Sequence, residues 1–552
     1  MNIFRAKPNP KPAANATALR PAAPQIPYLT SLDASLLRLS PEAEDSWTLR
    51  HACEGVHIFG GTGSGKTSGS GRALAHAYLR AGMGGIVLTA KPGEYALWQR
   101  YAAETGRASH LIRFGPDSGL RFNFLDYAIA ASRGSGRRVV TSNLVNLLMK
   151  MAEAAQRGSE LRGQAAEQPF WRLAPRELID HTIDTLYAAY GTLRLSQMLD
   201  FILTLPKFDG RTPTATFGRD SFAEQALLKA GTNPIHPLPP ADLQAIGNYF
   251  RYNYGLLDEK TRSNIVVTMT SQFNPLMKGM MRELFSTYTT IVPELTHEGA
   301  VIILDFPVKE YEDAGMLAQH IFKYLWQRAT ESRDTTHNPR PVFCWADEAQ
   351  FFITPYDIHF QTTARSSRAC TVYLTQTFSN YYASIGGANP RDATHAFLAN
   401  FVTKIFHSNS DHSTNQAAAD MIGKRIQYRG GSSRSSGSSE SRNFGENLGI
   451  SFTQSAGGSY SQQSGGSTNW STGRSEQEGR SVGAALAENL SQSSSVSEQM
   501  DYDIQPGEFA TLRSGGPGNG GKTDAVWFQG GRRFAANRSR NYLTLSFEQG
   551  AS

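Results

Sequence analysis

Apolar positions along the chain fall into two alternating patterns. Short apolar runs occur at Val56–Phe59, Gly85–Ala90, Ala300–Phe306 and Pro341–Ala346, and further strand-like stretches at Ser109–Phe114, Cys370–Thr375 and Phe401–His407. Runs of this kind read as strands buried on both faces. Between them, apolar residues recur at helical spacing in Gly69–Arg80, Tyr95–Thr105, Arg262–Phe285, Ala314–Ser332 and Ser413–Ile422. In Ala314–Ser332 the stripe is Leu317, Ile321, Leu325 and Trp326. Strands that alternate with helices predict an α/β fold with a mostly parallel sheet and right-handed crossovers.

The alternation is interrupted twice. From 136 to 258 only helical periodicities occur, at Val139–Gln156, Phe170–Tyr190, Leu195–Leu205, Asp220–Lys229 and Pro240–Tyr254, which predicts an all-helical inserted domain. Arg133, Arg137 and Arg138 stand at its entrance, where a solvated loop and a contact to DNA or a partner are equally compatible with the charge. From 430 to 500 the chain is rich in Ser and Gly, with too little apolar surface to fold alone, so a flexible insertion is expected, with a partly helical segment at Val482–Leu490. The periodic chain returns at 501–552, where Ala525–Phe528 and Tyr542–Phe547 read as strands that complete the sheet edge. Residues 1–27 form a Pro/Ala-rich flexible arm with Arg5, Lys7, Lys11 and Arg20. The nucleotide-binding domain is thus expected in three pieces, 28–135, 259–429 and 501–552.

Composition narrows this picture only a little. A chain of 552 residues, 40% of them hydrophobic, is long enough for two or three domains. The 54 basic and 48 acidic residues leave +6, too small a surplus to establish nucleic-acid binding by itself. Cys53, Cys344 and Cys370 are far apart in sequence and lack metal-ligand spacing, which points to buried thiols in a reducing compartment. His407 and His412 have no metal-ligand company and read as structural. No apolar run is long enough to span a bilayer, so a cytoplasmic protein is expected, held at a membrane only through partners.

The chemistry begins where the first strand ends. Gly60-Gly61-Thr62-Gly63-Ser64-Gly65-Lys66-Thr67 satisfies G-x-x-x-x-G-K-[ST] between a strand and a helix, the context a phosphate loop needs. Gly61, Thr62, Gly63, Ser64, Gly65, Lys66, Thr67 and Ser68 are therefore the candidate nucleotide-binding residues. Backbone N–H groups converge on phosphate oxygens, Lys66 adds a compact charge, and Thr67 offers a hydroxyl to Mg²⁺. The strand 341–346 closes on Asp347 and Glu348. Asp347 is placed to hold the magnesium shell, with Thr67, and Glu348 to polarise the attacking water. Gln376, at the tip of the next strand, is a candidate sensor of the γ-phosphate. Arg365, and after it Arg368, are candidate arginine fingers for a neighbouring subunit's nucleotide. ATP and Mg²⁺ are the implied cofactors.

Together these residues resemble the coupling ATPases of conjugation and type IV secretion, TraG/TraD-like proteins within the FtsK/HerA class of RecA-like motors. The resemblance is carried by GGTGSGKTS, TAKPGEYALWQRYAAETGR, FNFLD, TRSNIVVTM, WADEAQFF and ARSSRACTVYLTQ, between about Val56 and Gly423. It departs at Ala90, where the family usually has Asp, at Phe124, usually Pro, and in lacking N-terminal membrane helices. It implies a RecA-like ATPase that works as a homo-hexamer and moves DNA, with contacts mainly to the phosphate backbone. The implied cargo is single-stranded DNA attached to a relaxase, recruited by the helical insertion, with type IV secretion membrane subunits as further partners. Two alternatives stand beside it: a secretion ATPase for protein cargo without DNA, and a nucleotide-controlled assembly module. The Asp347–Glu348 pair argues against the module, and stimulation of hydrolysis by DNA separates the other two.

Overall fold

The seven stretches between Val56 and His407 that read as strands all become strands of one sheet. The computed structural model describes residues 26–134, 169–206, 217–218, 220–386, 389–439 and 487–549. The expectations for 1–25, for Arg137, Arg138 and the helix at Val139–Gln156, and for the insertion between 440 and 486 lie outside these residues. In chain order the strands are β1 (Ser35–Arg38), β2 (Ser46–Thr48), β3 (Val56–Phe59), β4 (Gly84–Leu88), β5 (Leu111–Phe114), β6 (Val301–Leu304), β7 (Val342–Ala346), β8 (Ala369–Thr375), β9 (Thr403–His407), β10 (Lys424–Ser439), β11 (Ala487–Tyr502), β12 (Lys522–Gln529) and β13 (Tyr542–Glu548).

Nine of them form the central sheet in the order β13-β12-β9-β3-β8-β7-β4-β6-β5. From β9 to β5 every pairing is parallel; β12 and β13 add to the β9 edge antiparallel. The α/β class and the mostly parallel sheet are as expected. β3, β4, β6, β7, β8 and β9 are buried at every position, as strands are when helices cover both faces of a parallel sheet. On one face Trp47 meets Trp527 edge-to-face, with centroids 5.6 Å apart, and Trp98 stacks on Phe343 at 5.7 Å. Such aromatic pairs add roughly 0.5–1.5 kcal/mol each beyond the area they bury.

Strand order carries the functional consequence. β8 lies between β3, which leads into the phosphate loop, and β7, which ends in the two carboxylates; β4 lies on the far side of β7. The C-terminal ends of four neighbouring parallel strands therefore open on one edge of the sheet, where ligands of open α/β sheets bind.

Several helices differ from their predicted extents. The stretch after the phosphate loop opens with a five-residue π-turn, Thr67–Gly71, before the regular helix Arg72–Arg80. Arg262–Phe285 is two helices, Glu259–Phe273 and Gly279–Phe285, because Pro275 in the Asn274–Leu276 turn cannot donate to a continuing helix. The long helix begins at Val308 rather than Ala314 and kinks at Glu312, whose φ is 47°. Between β5 and β6 the described elements are helical from Phe124 to Phe285, wider than the expected 136–258.

Contacts divide the chain into two units, one holding residues up to Gly423 together with 504–552, the other Lys424–Asp503. The second unit corrects an expectation. Its described residues form one antiparallel ribbon in which β10 and β11 pair in unbroken register from Lys424↔Tyr502 to Ser439↔Ala487. Of the predicted helical segment Val482–Leu490, Ala487–Leu490 belong to β11, and the remainder lies outside the described residues. Serine-rich chain has no apolar stripe to pack a helix, whereas ladder pairing satisfies its backbone whatever its side chains.

Candidate active site

Site geometry follows from the sheet edge. Gly63 (φ 74°) and Gly65 (φ 83°) put two left-handed positions into the turn after β3, so that successive N–H groups curl round one point. The loop is clamped from outside. Gly61 N donates to Ser408 O at 2.8 Å, and Thr523 Oγ1, from β12, donates to Ser64 O at 2.7 Å. His407 is fully buried between Ser70 Oγ (2.6 Å) and Thr523 Oγ1 (3.4 Å); burial, then the charge of Lys66, press its imidazole down to about 3, so it stays neutral. Gln549, just past β13, donates to Ser68 Oγ at 2.7 Å.

Inside the loop, Lys66 is 7% exposed, and its ammonium makes no hydrogen bond or ion pair among the described residues. The buried Ser64 hydroxyl also lacks a partner there. A buried cation and an orphaned hydroxyl beside a nest of N–H groups fit a polyphosphate. Thr67 Oγ1 donates to Asp347 Oδ2 at 2.9 Å, which brings both expected magnesium ligands together. A hydroxyl and a carboxylate there, both oxygen donors, suit a hard cation that keeps most of its water shell.

Glu348 sits one residue beyond, 4% exposed, in a left-handed conformation (φ 52°, ψ 50°). That backbone costs on the order of 1–3 kcal/mol for a residue with a Cβ, and such strain clusters at functional sites. Three side chains hold its carboxylate. Lys91 Nζ is 2.6 Å and Gln376 Nε2 3.3 Å from Oε1, while Gln350 Nε2 is 3.1 Å from Oε2. Burial alone would raise this carboxyl; the hydrogen bonds from Lys91 and Gln350 and the charges of Lys66 and Lys91 outweigh it and hold it down to about 2. Gln376 also lies 3.5 Å from Thr62 Oγ1, and its backbone oxygen accepts from Asn409 Nδ2. Thus Gly61–Ser68, Asp347, Glu348 and Gln376 converge on one edge.

The two arginines do not join them. Arg365 and Arg368 precede β8, at the end of that strand opposite Gln376, about 20 Å away at roughly 3.3 Å per residue. They also differ from each other. Arg368 (φ 50°) donates to the Thr30 and Pro339 carbonyl oxygens and ties the chain together locally. Arg365 is half exposed, with a loose ion pair to Glu54 at 3.6 Å.

Sequence reasoning left out Lys91, Glu94, Gln350, Thr523 and Gln549. Lys91 and Glu94 were in view within the turn after β4, but their roles depend on β4 lying beside β7. Glu94 is half-buried and accepts from the backbone of Ala90 and Lys91; desolvation, then the charge of Asp347, push its carboxyl up to about 8. Cys53 and Cys370, distant in sequence, approach to 3.6 Å as buried thiols. No described helix is long and apolar enough to cross a membrane.

Comparison with known proteins adds the following. Residues 341–501 match the family described as the TraM recognition site of TraD and TraG. A search of curated sequences finds no match. Among solved structures, the chain is similar to the bacterial conjugative coupling protein TrwBdeltaN70 in its unbound monoclinic form, with a TM-score of 0.52, 12% identity, and 93% of this chain and 89% of that one covered. It is similar to the same degree to the plasmid coupling protein TrwB in complex with the non-hydrolysable ATP analogue ADPNP, over 93% of this chain and 91% of that one. At this identity the likeness is one of fold.

Proposed function

We infer, from the match of residues 341–501 to the TraM recognition site of TraD and TraG and from a fold similar to that of a conjugative coupling protein, that the chain is a TraG/TraD-like coupling ATPase, an ATP-hydrolysing motor that pumps DNA, or a relaxase–DNA substrate, in conjugative transfer or type IV secretion. The observation that carries the reading is the meeting of Lys66, Thr67, Asp347 and Glu348 on the ends of β3 and β7, with Gln376 on the strand between.

Each residue then has a task. Backbone N–H groups of Gly61–Lys66 and the Lys66 ammonium bind and orient the β- and γ-phosphates. Thr67 and Asp347 would hold Mg²⁺, which would supply charge neutralisation to the phosphates. Glu348 accepts the proton as water attacks, and Gln376, bonded to Glu348 and near Thr62, links that carboxylate to the loop that meets the phosphates. Arg365, which cannot reach its own chain's loop, would serve a neighbour's nucleotide across a ring, for which a hexamer is the expected form. Cargo would be held through phosphates, and hence without regard to sequence. TraD and TraG are the proteins whose TraM recognition site the matching family describes, so a TraM-like protein is a further candidate partner.

Glu348→Gln tests the assignment. It should leave ATP binding intact and lower turnover by roughly 10²–10⁴-fold, the usual share of a general base. Normal hydrolysis by that variant would remove Glu348 from the role.

A further inference from the structure

We propose that Lys91 is the positioning residue for Glu348: its ammonium, presented by a rigid turn on the neighbouring strand, fixes the carboxylate that must face the attacking water. The inference deepens the ATPase reading and rests on it.

The turn after β4 is pinned from every side. Gln319 brackets Thr89, accepting from its N–H at 2.7 Å and donating to its carbonyl at 3.0 Å. The first turn of the Val308–Ser332 helix docks on the same segment, with Lys309 N donating to Ala90 O at 3.0 Å. From inside the turn, Glu94 Oε1 accepts from Ala90 N (3.3 Å) and Lys91 N (3.1 Å). Lys91 therefore leaves a backbone with little freedom, beside the end of β7.

Its side chain ends on Glu348 Oε1 at 2.6 Å, the shortest of the three side-chain hydrogen bonds to that carboxylate and the one that carries charge. Charge-assisted bonds are about twice as strong as neutral ones, so Lys91 dominates over the two glutamines. Exposure is asymmetric: the Lys91 side chain is 38% accessible and that of Glu348 5%. Without Lys91, a buried carboxylate on a strained backbone keeps only two neutral donors, and its orientation loosens. An error of about 1 Å in a reacting group can cost about 10²-fold in rate.

The test compares unaltered protein with Lys91→Met, Lys91→Arg, Glu348→Gln and the double variant Lys91→Met/Glu348→Gln. Single-turnover ATP hydrolysis is read together with the Kd for a fluorescent ATP analogue. Lys91→Met should lower the hydrolysis rate about 10²-fold, with Kd and KM within about twofold, because the lost interaction acts on the chemical step and not on binding. Lys91→Arg should recover at least about tenfold of the loss, since it keeps a cation at the same place. In the Glu348→Gln background, Lys91→Met should cost nothing further, because residues acting as a unit are non-additive. An unchanged rate in Lys91→Met overturns the proposal, as does a loss in the double variant equal to the product of the single losses. A Kd weakened in step with the rate also overturns it, by making Lys91 a phosphate ligand. Unaltered protein that hydrolyses no ATP overturns the ATPase reading, and this inference with it; hydrolysis insensitive to Lys91 overturns this inference alone.

Discussion

Gly65 shows what a single position must satisfy at this site. Its φ of 83° is a conformation that L side chains rarely adopt, and a Cβ there would lie 2.6 Å from Thr523 Oγ1. Gly65→Ala should therefore weaken ATP-analogue binding by at least about tenfold and destabilise the protein by on the order of 1–2 kcal/mol, read by titration and by urea unfolding. An alanine variant with undisturbed affinity would show that the loop tolerates displacement of Thr523. The motif makes the glycine legible in the sequence. Its neighbour is not legible, because Thr523 reaches Ser64 only after the chain has built seven strands of the sheet and returned. Asp347 and Glu348 were legible for a related reason, since a carboxylate pair closing a buried strand has few other uses. The Lys91–Glu348 pair was hidden because it depends on strand order, which local pattern does not encode.

Among elements, β9 carries a group whose titration can be followed. Lys404 is 6% exposed and donates to Phe401 O at 2.5 Å, and burial pulls its amine from 10.5 down to about 8. The unfolded chain gains this proton as pH falls through 10.5, the folded chain only near 8. Stability contributed by the neutral amine is thus present above 10.5 and is lost as pH falls toward 8 and below. Lys404→Met should stabilise the protein at pH 7 by about 1–3 kcal/mol, with a gain that shrinks as pH rises toward 10.5. Urea unfolding at pH 7 and pH 9.5 checks this; an equal gain at both values would mean that the charge is not the cause. Strands such as β6, Val301–Leu304, were legible because burial on both faces leaves an unbroken apolar run. β10 and β11 were not, because Ser and Gly carry no period, and only the paired register reveals the ribbon.

At the scale of the whole molecule, the position of Arg365 becomes informative. Its place before β8, remote from the loop of its own chain, is of use to catalysis only if another copy presents its loop there. Arg365→Ala protein mixed with Lys66→Ala protein should then regain hydrolysis that neither shows alone, since mixed rings contain some sites with both residues intact. No recovery in rings shown to be mixed would place the finger elsewhere. Arg368, tied to Thr30 and Pro339, should affect stability more than turnover.

DNA dependence of hydrolysis tests the motor reading most directly. ATP turnover by the purified protein is measured with and without single- and double-stranded DNA, from about 50 to 200 mM salt, with Lys66→Ala as control. A DNA motor held through phosphates should be stimulated by one form of DNA, and the stimulation should fade steeply over that range as counterions compete. Turnover abolished by Lys66→Ala yet indifferent to either DNA at every salt concentration would contradict the account, leaving an ATPase whose cargo is not nucleic acid.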